Sequence, residues 1–352
     1  MNTVKTNKRE EREMAVLGHI VTEYVSSVIP VSSKTVAMKM GGDVSSATVR
    51  NIMADLEEKG FIAQPHTSAG RIPTDRGYRR YVDMLRRNLH QQKAEAERLA
   101  NEYHQRVNTV KDVIEKASYL ISHELHNAGL AMLPAIQNFY LKRLELVKVR
   151  AQTVMAVLVT VTNAVRNYII ELDREIDQKE LERISNFLNS SFEHRLMLDI
   201  RQSLKGIISG NREEDREALS MADMALNLVD GIIRDGIENE IYIDGLDFFA
   251  EEPEFKDLDT ARRMMQVFSR RSELVDLFRG ELPDRGLRVY IGGENSSELL
   301  KDCSLITCGY SWEGKAVGRI GVIGPRRMDY YNALRTVSCL ADIISGKLEE
   351  LS

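Results

Sequence analysis

Apolar positions first recur at helical spacing at Met14, Leu17, Ile20, Val21, Tyr24 and Val25. This predicts one buried face on a helix from Glu10 to about Ser27. Val28-Ile29-Pro30-Val31 breaks that helix. Ser32 or Ser33 then caps a short helix to about Met40 that buries Val36, Ala37 and Met40, and Gly41-Gly42-Asp43 turns the chain. The next stripe, Val49, Ile52, Met53 and Leu56, predicts a helix opened by Ser45 or Ser46 and closed by Gly60. Three short helices so connected make a helix-turn-helix core. Phe61-Ile62-Ala63-Gln64 is short and apolar enough for a strand. Pro65 to Gly70 is a turn-rich tip, and Arg71-Ile72 returns until Pro73 stops it, a hairpin in the position of a wing. Thr74 or Asp75 caps a further helix from about Arg76 to beyond Leu89.

Residues 90–130 are charged and helical with few breakers. Gln91 to Arg106 reads as a helical joint. Val110, Val113, Ile114, Ala117, Leu120 and Ile121 read as a packing stripe, closed off by Gly129 and Pro134. The period then changes. Tyr140–Val149 alternates apolar and polar, Thr153–Val161 is a buried-type run, and Val165–Leu172 follows after a short link, so an antiparallel three-stranded meander is expected. Helices are predicted at about Gln178–Phe192, Arg195–Ile207 and Glu213–Arg234. A strand at Ile241–Ile243 precedes Gly245. A helix from about Leu258 to Phe278, strands at Leu287–Ile291, Ser304–Tyr310 and Ala316–Ile323, and a last helix from about Tyr330 to Leu348 complete a mixed α/β half. The fold class expected is α+β and multidomain.

Composition adjusts this picture in a few places. A chain of 352 residues suggests two or three domains, and 43% apolar residues are ample for packed cores. No apolar run reaches membrane-spanning length and the polar N-terminus has no signal-peptide core, so a soluble cytoplasmic protein with no membrane partner is expected. The net charge of −5 argues at first against nucleic acid, but residues 1–90 hold 14 basic and 10 acidic side chains while the remainder holds 34 and 43. A basic module on an acidic body still suits a phosphate backbone.

Candidate chemistry is sparse outside the N-terminal region. No nucleophile has a base partner and no carboxylate pair stands out, so an enzyme is not the expected class and no cofactor is expected. His123-Glu124-Leu125-His126 is one residue short of the zinc-protease pattern, which needs both imidazoles on one helix face, and no metal site is expected. Cys303 and Cys308 read as core thiols. Gly292-Gly293 and Gly318-x-x-Gly321 lack the order of a phosphate loop and read as strand-end turns. Met221, Met224, Leu228 and Ile232 follow helical spacing and serve either a core or a partner surface. Ser45, Ser46, Thr48, Arg50 and Asn51 are different. They cluster near a helix start, the end that enters a major groove in helix-turn-helix proteins. The competing reading is an ordinary capped surface helix. Arg50 is the best candidate for a guanine edge, with a phosphate as its alternative. Arg71, Arg76, Arg79, Arg80, Arg86 and Arg87 crowd the following stretch, where each neutralised phosphate adds salt-dependent affinity. Arg79 and Arg80 read either as a solvated helix face or as phosphate contacts.

Pro30-Val-Ser-Ser33, Val44-Ser-Ser-Ala-Thr-Val-Arg-Asn51, Met53-Ala-Asp-Leu-Glu57 and Gln64-Pro-His-Thr-Ser-Ala-Gly-Arg-Ile-Pro-Thr-Asp75 resemble the signature of the HrcA family, the heat-inducible transcription repressors of bacteria. Similarity continues to Cys303-Ser-Leu-Ile306, Gly321-Val-Ile-Gly-Pro325 and Met328-Asp-Tyr330. The resemblance implies a winged helix-turn-helix domain at 1–90, a discontinuous GAF-like domain at 91–137 and 238–352, and an inserted dimerisation domain of three antiparallel strands beside helices at 138–237. It raises the tip residues His66, Thr67 and Ser68, with Arg71, to expected minor-groove or phosphate contacts. It also implies a homodimer on double-stranded DNA at the CIRCE operator, an inverted repeat upstream of chaperone operons, with the GroEL chaperonin as the modulator of repressor activity. The alternative is a regulator that senses a small molecule through the GAF-like domain.

Overall fold

The computed structural model describes residues 2–42, 44–67, 69–88, 110–134, 140–160, 165–210, 216–238, 241–279, 285–312 and 314–350. The helical joint expected at Gln91–Arg106, and Ser68 at the hairpin tip, lie outside them.

The N-terminal unit is built as its apolar stripes direct. Helices α1 (Asn2–Ser27), α2 (Ser33–Lys39) and α3 (Ser46–Glu58) bring Leu17, Ile20, Val21, Val36, Val49, Met53 and Leu56 into one buried cluster. Ser32 caps α2 by accepting the Thr35 N–H at 3.1 Å. Ser45 caps α3 by accepting from Thr48 N–H, also at 3.1 Å. After Gly60, which takes a positive φ of 74°, β1 (Ile62–Ala63) and β2 (Ile72–Pro73) pair antiparallel. A bridge between Val31 and Arg71 adds the loop before α2 to this small sheet. Gly70 is needed there, because a Cβ would sit 2.5 Å from the carbonyls of Pro30 and Val31. Thr74 accepts from Gly77 N–H at 3.1 Å and starts α4 (Asp75–Asn88).

The C-terminal half holds a five-stranded antiparallel sheet in the order β7-β3-β10-β9-β8. Its strands are β3 (Ala128–Met132), β7 (Ile241–Asp244), β8 (Arg288–Ile291), β9 (Cys303–Trp312) and β10 (Lys315–Pro325). Every residue of β9 is buried, because both faces are covered. Ile306, Ile320 and Val322 pack with α5 (Val110–Leu125) and the last helix α12 (Tyr330–Glu350). Leu130, Leu305 and Ile323 pack instead with Met264, Val267, Phe268, Leu274, Val275 and Phe278. Those six come from α10 (Leu258–Ser269) and α11 (Arg271–Arg279), whereas the stripe predicts one continuous helix. The helix breaks at Arg270, whose φ of −92° and ψ of 64° leave the helical region, and both pieces reach the same core cluster. A short helix, α9 (Leu246–Glu251), follows β7.

Two further differences from the pattern concern small residues. Strand β3 is absent from the sequence reading, yet it lies within the sheet, paired to β10 and β7. Gly318 and Gly321 are not turn residues but lie inside β10. A Cβ at Gly318 would meet the Tyr310 hydroxyl, and one at Gly321 the Ile306 carbonyl. Gly292, by contrast, does stand at a turn after β8.

Between β3 and β7 the chain forms a second, three-stranded antiparallel sheet, β4 (Leu141–Lys148), β5 (Thr153–Thr160) and β6 (Val165–Glu171), in that order. Leu144, Leu146, Val154, Ala156, Leu158, Tyr168 and Ile170 point inward and are buried. Against them lie α6 (Gln178–Phe192), α7 (Met197–Gly210) and α8 (Arg216–Glu238), through Leu181, Ile184, Leu188, Ile200, Leu228 and Ile232. Met224, Leu228 and Ile232 are thereby core residues, and Met221 packs on the same cluster half-buried. The free edge of β4 is closed by side chains of α6. Ser185 and Asn189 donate to the Leu144 carbonyl at 2.5 and 2.9 Å, Asn189 accepts the Leu144 N–H at 2.8 Å, and Gln178 bonds Lys148 N–H and the Leu146 carbonyl. The opposite face of this sheet carries no covering element among the described residues. Val147, Val165 and Ile169 are 40%, 62% and 50% exposed there, beside half-buried Met155, Val157 and Val159.

Candidate nucleic-acid interface

Helix α3 stands on its buried stripe and shows the other side to solvent. Ser45, Ala47, Thr48, Arg50, Asn51, Ala54 and Glu58 are exposed. The cap fixes the first turn, since the Ser45 hydroxyl meets both the N–H of Thr48 and its hydroxyl, the latter at 2.9 Å. Ser46 is half-buried and its hydroxyl lies 3.1 Å from that of Ser33, so it links α3 to the start of α2. Of the sequence-predicted residues on this helix, Ser45, Thr48, Arg50 and Asn51 therefore share one open surface, and Ser46 sits at its inner margin.

The hairpin stands beside that surface. His66 and Thr67 are exposed at its tip. Gln64 braces the tip by donating to the carbonyls of Thr67 and Ala69 at 2.9 and 3.0 Å. Arg71 does not project freely. Its guanidinium meets the Glu57 carboxylate at 2.9 Å through Nε and at 2.8 Å through a terminal nitrogen. That pairing is charge-assisted, and it ties the hairpin to the last turn of α3.

The basic residues of α4 lie elsewhere. Arg79 is paired to Glu294 through Nε and a terminal nitrogen, and that nitrogen also donates to the Val289 carbonyl at 2.6 Å. The Glu294 hydrogen bond raises the Arg79 pKa further. Arg86 donates to the Leu287 carbonyl at 3.1 Å. Arg80 is half-buried. Asp75 meets Arg326 at 3.3 Å, and the ring of buried Tyr78 lies 5.5 Å from that of Tyr330. The Tyr330 hydroxyl is 2.6 Å from that of Ser304. Burial lifts the pKa of both tyrosines far above the ordinary value, so each stays a neutral phenol. Arg327 binds Glu252 and Glu254 and donates to the Val25 carbonyl at 3.4 Å. Arg79 is thus part of a seam between the N-terminal unit and the body, apart from the face that carries Arg50. A cleft of about 750 Å³ opens along this seam, with Arg76, Arg263 and Arg326 among its walls.

Comparison with known proteins decides the family. The model described as HrcA protein C terminal domain matches residues 111–334. The heat-inducible transcription repressor HrcA of Syntrophobacter fumaroxidans is 34% identical over 342 residues, 97% of each chain. That of Pelotomaculum thermopropionicum is 34% identical over 98% of each chain. The chain belongs to the HrcA family. A crystal structure described only as that of a hypothetical protein shares the fold of this HrcA chain, with a TM-score of 0.66 over 97% of this chain and 99% of that one at 23% identity.

In this HrcA chain the family model covers the body, and the α3–hairpin face lies N-terminal to it. The seam residues Glu294, Arg326 and Arg327 are what sequence reasoning missed. Arg326-Arg327 follows β10 as a bare basic pair, and no local pattern announces that its partners lie some 70 and 250 residues away.

Proposed function

We propose that this protein is a dimeric repressor of chaperone-operon transcription that binds the CIRCE inverted repeat and occludes the promoter. Residues 1–90 act as a winged helix, residues 91–137 and 238–352 as a GAF-like body, and residues 138–237 as the dimerising insert. The observation that carries the reading is the exposed first turns of α3, where a capped Ser45, Thr48, Arg50 and Asn51 stand free of the body next to a braced hairpin tip. Such a surface fits a major groove, with the hairpin reaching the flanking backbone or minor groove.

One α3 reads too few base pairs for tight specificity. A two-fold pair of heads matches the symmetry of an inverted repeat. The open face of the three-stranded sheet supports self-association, because Val147, Val165 and Ile169 gain by meeting a second copy. GroEL is the modulator in this reading: when heat diverts the chaperonin to unfolded clients, repressor activity falls.

The test is footprinting on the promoter of the organism's chaperonin operon with and without GroEL. Protection of both half-sites, strengthened by the chaperonin, is expected. No preference for the inverted repeat over random duplex, at low salt and with GroEL present, ends the reading. The seam cleft favours one alternative, control by a small molecule that fits between head and body. A metabolite panel that raises Tm by several degrees and alters operator affinity would select it.

A further inference from the structure

The outward face of α3 has a definite order, and it is centred on Asn51 rather than on Arg50. At about 3.6 residues per turn, the residues opposite the buried Val49, Met53 and Leu56 are Ala47, Asn51, Ala54 and Glu58. All four are exposed. Arg50 lies about a quarter turn away, on the flank it shares with Glu57 two turns later. Glu57 holds Arg71 of the hairpin, so Arg50 belongs to the hairpin side of the helix. On the opposite flank, Asp55 holds Arg9 of α1 at 2.7 Å. The central ridge is therefore small at Ala47, amide at Asn51, small at Ala54 and acidic at Glu58.

We propose that Asn51 is the base-reading residue, that Ala47 and Ala54 are methyl contacts to thymines beside it, and that Arg50 holds the phosphate backbone. The assignment rests on the DNA-binding reading above. An amide side chain matches the acceptor and donor of an adenine edge in the major groove, and an alanine methyl fits against a thymine C5-methyl. Alanine on both sides lets the helix backbone come close enough for so short a side chain to reach. A carboxylate at Glu58 on the same ridge repels phosphate, so insertion is limited to the part of the helix before its last turn. The site read by this ridge is A·T-containing at its centre, whatever flanks it.

The experiment uses the full-length protein and an operator duplex, with random duplex as reference and circular dichroism to confirm folding of each variant. Asn51→Ala is expected to lower operator affinity about 10- to 100-fold and to leave random-duplex affinity unchanged. Arg50→Ala is expected to weaken both alike and to reduce the salt dependence of binding by about one phosphate contact. Deoxyuridine in place of thymidine, one position at a time, removes single methyl groups. One such position is expected to weaken wild-type binding and to have no further effect on Ala47→Gly, and another to behave so with Ala54→Gly. The assignment is overturned if Arg50→Ala abolishes discrimination while Asn51→Ala preserves it, or if every deoxyuridine effect persists undiminished in both glycine variants. Wild type that prefers no inverted repeat defeats instead the reading beneath it.

Discussion

The two large sheets of this molecule solve the same burial problem in opposite ways. In the five-stranded sheet both faces are covered by helices, and β9 is buried along its whole length. In the three-stranded sheet only one face is covered, and β5 alternates strictly between buried and half-buried positions. The first is complete within one chain. The second leaves apolar rows, Val147–Met155–Ile169 among them, that nothing in the described part of the chain covers. A fully enclosed sheet serves rigidity. A half-enclosed one leaves an apolar face open to solvent.

The contrast is broken most severely at the enclosed sheet. Ile306→Ala, in the middle of β9 with no exposure, should lower stability by about 2–5 kcal/mol, while Val157→Ala on the open face of β5 should stay within about 0.5 kcal/mol. Urea midpoints of the two variants measure the difference. Val157→Arg reverses the emphasis. It should weaken self-association about thirtyfold, roughly 2 kcal/mol, with folded content unchanged, as read by light scattering across a dilution series. Equal self-association of wild type and variant would mean the open face is not the contact between copies. Ser185→Ala deletes one of the two donors to the Leu144 carbonyl and should cost about 1 kcal/mol, because Asn189 still serves that carbonyl. The smallest signal is chemical. Burial pushes the Cys303 thiol up to about 12, so at pH 8 it is protonated and inert. Half-exposed Cys339 should alkylate under those conditions while Cys303 does not. Peptide mass mapping after a timed quench distinguishes the two, and labelling should reach Cys303 only as the pH approaches its pKa or the sheet opens.

Periodicity made the N-terminal unit readable because its elements are amphipathic and close in sequence. The stripe Val49, Met53, Leu56 and the cap at Ser45 are local signals, and both appear where the pattern puts them. Strand β3 escaped notice for a physical reason. Ala128-Gly-Leu-Ala-Met132 is buried at every position, so it has no alternation, and Gly129 reads as a terminator when it is in fact packed against the Ser118 carbonyl. The break at Arg270 left no mark either, since apolar spacing continues across it from Phe268 to Leu274. In the candidate interface, exposure of Thr48, Arg50 and Asn51 follows from the helix period alone. The pairing of Arg79 with Glu294, 215 residues on, does not, and a run of arginines is silent about which of them the fold will bind to itself.

The way α6 seals β4 sets a limit on growth. A strand whose outer N–H and C=O groups are already met by Ser185, Asn189 and Gln178 offers no template to an incoming strand. Lateral addition on that side is foreclosed. Growth of this sheet by an added strand is thereby confined to its other edge, β6, where the Asp235 carboxylate already accepts the Ile169 N–H at 3.2 Å.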